Sequence, residues 1–331
     1  MPHEIKGKTW SNITLGFSIH RPEMVPLTSA LMQRHDAVFL EEPPAADFNE
    51  MLQGAVSIED YLMPLDFEYP EFSRDMCCLL RNLYAQGKVI VQVEPFLEIL
   101  LSIHEFFAEG HSPVDLPRDV IEYPVYLAER NATAALLAYY QAVTRGSFDE
   151  TLTAVIRFAR MDAARFRLRD SLRAQALAPL VAGYPSAYIE AGVIHFRLWQ
   201  LLRHQLSETS RVRTVFLSDF ALKELNEDGH LYGPGDLLTL LFIFHHRMPE
   251  TGQHRLLAAR SIIYSKIIEK EESAADPVTY PHLRDELAAI RTTGRLSLQD
   301  CRKLFPLIRR AKTAEARQIA SEYLAGNGLR T

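Results

Sequence analysis

Cysteine is scarce, with three residues in a chain of 331, and two of them, Cys77 and Cys78, are adjacent. Neighbours in sequence cannot bridge within ordinary disulfide geometry, which excludes a disulfide framework, and no C-x-x-C pair of redox or zinc type is present. A basic excess is missing too. The 36 Lys and Arg stand against 42 Asp and Glu, a formal net charge of -6 with no basic tract, and this argues against nucleic acid or anionic lipid as a partner. Long apolar runs are also lacking: the longest, Leu237 to Phe244, falls far short of the roughly 20 residues that cross a bilayer. The opening segment has no basic stretch followed by an apolar one, so no secretory signal is expected. These absences predict a cytoplasmic protein with no membrane partner.

What is present is ordinary globular composition, 47% hydrophobic and 24% charged, at a length suited to two domains or one large one. Short β-branched or aromatic runs at Ile13–Ile19, Ala37–Leu40 and Lys88–Val93 read as strands. Leu27, Leu31 and Met32 have helical spacing between the first two, with Pro26 suited to a first turn. Met76, Leu79, Leu80 and Leu83 mark an amphipathic helix that ends at Gly87, and another helical pattern stops at Gly110. Residues 129 to 182 are helical in pattern and end at the turn Gly183-Tyr184-Pro185. A fourth strand is expected from Ser186 to His195, then a helix, then a fifth strand over 211–217. From Ser218 onward only helical patterns remain. The expectation is an α/β fold, a mixed sheet with flanking helices over residues 1–217, followed by an all-helical extension over 218–331. No fixed-period repeat is visible.

Two of these strands end alike, as Gly16-Phe17-Ser18-Ile19-His20 and Gly192-Val193-Ile194-His195. In α/β folds ligands gather at the carboxyl ends of strands. Glu41 and Glu42 follow the second strand and Glu94 follows the third. Two imidazoles and one or two carboxylates there could hold a divalent metal or act as acid and base on a water. Among 12 histidines and 42 acids some follow strands by chance, so the weight lies in the coincidence of several. Neighbours in an extended segment point to opposite sides, so only one of Glu41 and Glu42 can face a crevice. Glu41 is favoured because it directly follows the apolar run.

The stretch Ser18-Ile19-His20-Arg21-Pro22-Glu23, with Pro26-Leu27 and then Asp36 to Glu41, resembles the opening of TraB/TIKI-type proteins, whose superfamily takes in erythromycin esterases and haem-binding ChaN lipoproteins. Val93-Glu94-Pro95-Phe96-Leu97-Glu98-Ile99-Leu100 is similar to that family's Glu-bearing strand end. Arg169-Asp170-Ser171-Leu172-Arg173-Ala174 resembles its helical Arg segment, and Gly192-Val193-Ile194-His195 its second Gly-x-x-His. The resemblance spans roughly residues 13 to 205 and rests on order more than on any one short motif. It implies a hydrolase of peptide or ester bonds, metal-assisted or driven by His and Glu. In it His20 and His195 would bind a divalent ion or position water, Glu41 would be ligand or general base, Glu94 the second carboxylate, and Arg169 would steady an anionic intermediate. The substrate would be a small molecule or a peptide. One departure stands out: the family's first Gly-x-x-His would place glycine where this chain has Phe17, whose ring is expected to narrow or reshape the pocket. A second reading keeps the fold without catalysis, the crevice holding haem or a small metabolite and the C-terminal helices serving protein interaction or homo-oligomer formation.

Other signals have plainer readings. His245-His246 with His254 lacks the spacing of a metal cluster, and Gly233-Pro234-Gly235-Asp236 is a turn with Asp236 as N-cap rather than a phosphate loop. Cys77-Cys78 lies on an apolar helix stripe, where cysteine behaves as a small buried hydrophobe. The run Glu269 to Ser273 is a solvated helix end, and the acceptor pattern Asn12-Ile13-Thr14 carries no weight without a signal peptide.

Overall fold

A computed structural model describes residues 11–65, 69–206, 210–227, 231–272, 276 and 278–328. The opening ten residues and Ser273, both used in the reading above, lie outside the described residues. In chain order the first elements are β1 (Ser11–Ser18), α1 (Val25–Met32), β2 (Ala37–Leu40), α2 (Phe48–Gln53), α3 (Ile58–Leu62), α4 (Pro70–Ala85) and β3 (Val89–Gln92). Then come α5 (Pro95–Ala108), α6 (Glu122–Arg145), α7 (Phe148–Val181), β4 (Ser186–Gly192), α8 (Phe196–Gln205), β5 (Ser210–Phe216) and α9 (Leu217–Glu224). Among the described residues these are followed by α10 (Pro234–Phe244), α11 (Gly252–Ile267), α12 (Pro281–Gly294), α13 (Leu298–Ile308) and α14 (Thr313–Gly326).

The α/β class read from the sequence is the class the chain adopts. Among the described residues five strands form one sheet in the order β3-β2-β4-β1-β5, and every pairing is parallel, so the sheet is not the mixed one expected. Parallel neighbours need crossover connections, and each pair of successive strands here is joined by at least one helix. Such sheets are covered on both faces, which is why β2 reads as an unbroken apolar run and is buried throughout.

Period-two alternation sorts the strand residues between the two faces. Ile13, Leu15, Phe17, Ala37, Phe39, Ala187, Ile189 and Ala191 pack with Ala174, Leu177 and Val181 of α7 and Leu198 and Leu202 of α8. Val38, Leu40 and Tyr188 pack on the other face with Met32 of α1, Met51 and Leu52 of α2, Tyr61 of α3, and Met76, Cys77, Leu80 and Leu83 of α4. Burial pushes the Cys77 thiol up to about 12, so it packs as an inert hydrophobe, whereas Cys78, one position on around the helix, is exposed rather than buried as expected.

Alternation also corrects the expectation for Phe17. Its ring is fully buried on the first face, 4.9 Å from the Phe216 ring and 5.9 Å from that of Phe196, so it builds core rather than narrowing a pocket. Gly16 has a packing reason of its own. A β-carbon there would sit 2.0 Å from the Tyr188 hydroxyl oxygen and 2.5 Å from Cζ of a ring that is itself fully buried. Gly16→Ala is therefore expected to destabilise the protein by about 1–3 kcal/mol through overpacking. Urea denaturation midpoints measure this, and an unchanged midpoint would refute the packing role.

The chain forms two compact units, and the division is not a single cut near residue 217. One unit holds residues 1–102, 169–228 and 274–278, and therefore the whole sheet; the other holds 103–168, 229–273 and 279–331 and is helical. In the helical unit α11 is central: it packs against α10, α12, α13 and α14, and it buries Leu257, Ala258, Ala259, Ile262, Ile263 and Ile267, more than one helix face. Gly233, not Asp236, is the N-cap of α10. The Asp236 carboxylate reaches back from the first turn to accept from the Gly233 N–H at 3.1 Å. His254 is buried, accepts from the Thr251 N–H at 3.0 Å and stacks on Phe242, whereas His245 and His246 are exposed. Helix α11 ends at Ile267, so the acidic run from Glu269 follows the helix rather than ending it. Among the described residues no helix is long and apolar enough to cross a membrane.

Candidate functional site

Parallel strands deliver their carboxyl ends to one edge of a sheet. Four of the candidate residues sit on that edge: His20 two positions past β1, Glu41 directly after β2, Glu94 two past β3 and His195 three past β4. β4 lies between β1 and β2, with Ser18 paired to Gly192, so segments some 175 positions apart in the chain run side by side. Arg169 comes from α7, whose Ala174, Leu177 and Val181 pack on the sheet.

Glu41 is the hub. Its Oε1 lies 2.7 Å from His195 Nε2 and accepts from Arg169 Nη2 at 3.1 Å. Its Oε2 accepts the Gly192 N–H at 2.6 Å and lies 3.5 Å from Arg173 Nη1. His195 uses its second nitrogen, Nδ1, on Asp170 Oδ1. Arg169 Nε is 3.2 Å from Glu94 Oε1 and Arg173 Nε is 3.8 Å from Glu94 Oε2. Arg173 further donates to the Val93 carbonyl at 2.9 Å and to the Glu190 carbonyl at 2.8 Å, tying α7 to the ends of β3 and β4. Three carboxyl groups (Glu41, Glu94, Asp170) thus meet three cationic groups (Arg169, Arg173, His195). Glu94, Asp170 and Arg173 are wholly buried and His195 nearly so.

The partners set the protonation states. Burial works against charge on both Glu41 and His195, but His195 and the two guanidinium groups hold Glu41 well below the usual carboxylate range. Glu41 and Asp170 in turn raise His195 to about 9 against the opposing effect of burial. His20 goes the other way: burial, its largest influence, lowers it, outweighing the attraction of Glu41 and Glu42. Its ring stacks on Phe72 at 5.2 Å, and its Nε2 is buried without a hydrogen-bond partner among the described residues. The two histidines on this edge therefore differ, one cationic and one neutral near pH 7.

Glu41, not Glu42, reaches His195. The carboxyl group of Glu42 accepts from Gln92 Nε2 at 2.9 Å and is pushed up to about 6 by burial and by Glu190. Glu190 rises to about 7 through burial and the charge of Glu41, and its carboxyl accepts from the Glu41 N–H at 3.4 Å. Sequence reasoning did not single out Glu190 or Gln92, and it placed Asp170 and Arg173 in the helical segment that carries the family resemblance without giving either a role. The usable signal was the four-residue step from Arg169 to Arg173, which puts both on one helix face just before the apolar positions Ala174 and Leu177.

A divalent ion held by His20, His195, Glu41 and Glu94 does not fit this arrangement. Both His195 nitrogens are engaged with carboxylates, and an imidazolium has no lone pair to offer. The Glu41 oxygens are taken by His195, Gly192 and two arginines, and the positive charge a metal would bring is already supplied by Arg169 and Arg173. Among the described residues no group of three or more His, Cys, Asp or Glu side chains is arranged to hold a metal ion.

These features define an α/β protein with a parallel five-stranded sheet and a buried carboxylate, imidazole and guanidinium cluster at its carboxyl edge. The chain is 30% identical over 286 residues to an uncharacterized protein of Archaeoglobus fulgidus, covering 86% of this chain and 94% of that one. It belongs to one family with that archaeal protein. No protein-family profile matches the chain. No solved structure matches it either.

Proposed function

We propose that the chain is a hydrolase of ester or peptide bonds that works through His20 and its charged neighbours, with arginines in place of a metal. The observation that carries this reading is the opposition of the two histidines: His195 clamped between Glu41 and Asp170, His20 with an Nε2 that has no hydrogen-bond partner among the described residues. Groups whose surroundings push them apart in this way divide acid and base work. Neutral His20 takes a proton from water as the water attacks the acyl carbon, then returns it to the leaving oxygen or nitrogen. Arg169, the most exposed member of the charged cluster, stabilises the developing oxyanion. Glu41, Asp170 and His195 fix Arg169 and hold the local charge in balance. The resemblance to TraB/TIKI-type proteins and erythromycin esterases supports the same class of reaction.

The test is the pH dependence of p-nitrophenyl butyrate hydrolysis in excess EDTA. The rate is expected to rise as His20 loses its proton, with a midpoint below 6.5, to level off, and to fall near pH 9 as His195 loses its own and Glu41 loses a cation. Loss of turnover on chelation would refute the metal-free mechanism. If neither this ester nor a peptide library is turned over at any pH, hydrolysis is refuted.

A further inference from the structure

Arg21 directly follows His20 and is not used in the mechanism above. Its guanidinium carbon lies 4.2 Å from the centre of the Tyr69 ring, and its Nη1 is buried without a hydrogen-bond partner among the described residues. No carboxylate among the described residues stands at ion-pair distance from it, in a chain where acids outnumber bases by 42 to 36. A buried guanidinium N–H with nothing to donate to is costly, because desolvation goes uncompensated. His20 meets the same support. Its ring stacks on Phe72, three residues after Tyr69, where α4 begins, and residues three apart at a helix start share a face. The first turn of α4 thus presents one aromatic shelf that carries both the orphaned imidazole nitrogen and the orphaned guanidinium N–H.

We propose that Arg21 is a substrate-recognition residue that binds a carboxylate on the substrate and so places an acyl bond at His20. The Tyr69 ring holds the guanidinium by a cation–π contact and fixes its direction, which lowers the entropic cost of receiving an anion. The ligand is a monoanion: one guanidinium supplies one unit of charge, and Glu41 and Glu42, which already act electrostatically on His20, oppose a second negative charge. The substrate class is then a small ester or amide bearing a free carboxyl group, or a peptide cleaved near an acidic side chain or its own C-terminus. This inference rests on the hydrolase reading for its catalytic half only.

Binding is tested with propionate, a monoanion, as probe, following the imidazole C–H resonances of His20, identified by their absence in His20→Gln. Propionate is expected to shift them saturably, propionamide to leave them unmoved, and Arg21→Gln to weaken propionate binding about tenfold, as for loss of a charge-assisted hydrogen bond. Arg21→Lys, which keeps the charge, should fall between, and Arg34→Gln, at an exposed position just past α1, should match the native protein. Unaltered propionate affinity in Arg21→Gln, with its circular dichroism intact, overturns the proposal, as does inorganic phosphate binding more tightly than propionate. In turnover, p-nitrophenyl hydrogen succinate, which carries one free carboxylate, should be preferred to p-nitrophenyl butyrate, and the preference should disappear in Arg21→Gln. Hydrolysis that depends on His20 but not on Arg21 sinks this inference and leaves the hydrolase reading standing. Propionate binding that depends on Arg21, without turnover of either ester, does the reverse.

Discussion

Replacing Arg173 by Met is expected to destabilise the protein by about 3–5 kcal/mol, the scale for removing one partner from a buried ion pair. The side chain is fully buried, and its guanidinium meets the Val93 and Glu190 carbonyls as acceptors and Glu41 and Glu94 as counter-charges. Met fills the volume, so the cost comes from two carbonyls left without a donor and from a Glu94 carboxyl group left with Arg169 alone. Against a total stability of about 5–15 kcal/mol this is a large fraction. Guanidinium denaturation gives the number. The double variant Arg173→Met with Glu94→Leu separates the causes: if uncompensated charge dominates, it is less destabilised than the sum of the two single changes. A loss below about 1 kcal/mol in Arg173→Met would show that the cluster does not hold α7 to the sheet.

The frame of this site was legible because a parallel sheet writes itself into sequence in a simple way. Strands covered on both faces appear as short unbroken apolar runs such as Ala37–Leu40, and the residue that ends each run is carried to a common edge. His20, Glu41, Glu94 and His195 could therefore be grouped without knowing the strand order. The lining of the site was harder to see. A helix face bearing Arg165, Arg169 and Arg173 has the same periodicity whether the charges meet water or carboxylates. Arg165 does pair with Asp162 at 2.6 Å in a half-buried setting, while Arg173, eight residues on, is wholly enclosed. Nor does periodicity record which unit a helix joins, so residues 103–168 look continuous with the strands on either side of them although they cluster with the C-terminal helices. The short helices α2 and α3, of six and five residues, offer too few turns for an apolar stripe to show, and α2 opens on Asp47 at a positive φ of 60° that no pattern of hydrophobicity encodes.

The second large effect concerns rate rather than stability. His20→Gln is expected to lower turnover of p-nitrophenyl butyrate by about 100- to 10,000-fold, the usual share of a positioned general base, while leaving the denaturation midpoint nearly unchanged. Both halves follow from one fact: His20 Nε2 makes no hydrogen bond among the described residues, so its replacement by an amide breaks none there and gives up, besides the basic nitrogen, the ring's stack on Phe72. His195→Gln is the contrasting case. Its ring holds two carboxylates, so its loss should lower the midpoint and the rate together, because Glu41 and Asp170 are left facing each other across the gap with one cation fewer. The comparison decides what the two imidazoles are for. A His20→Gln protein that keeps more than a tenth of its activity assigns proton transfer to another group, and equal loss of stability in the two variants would make both histidines members of one structural cluster.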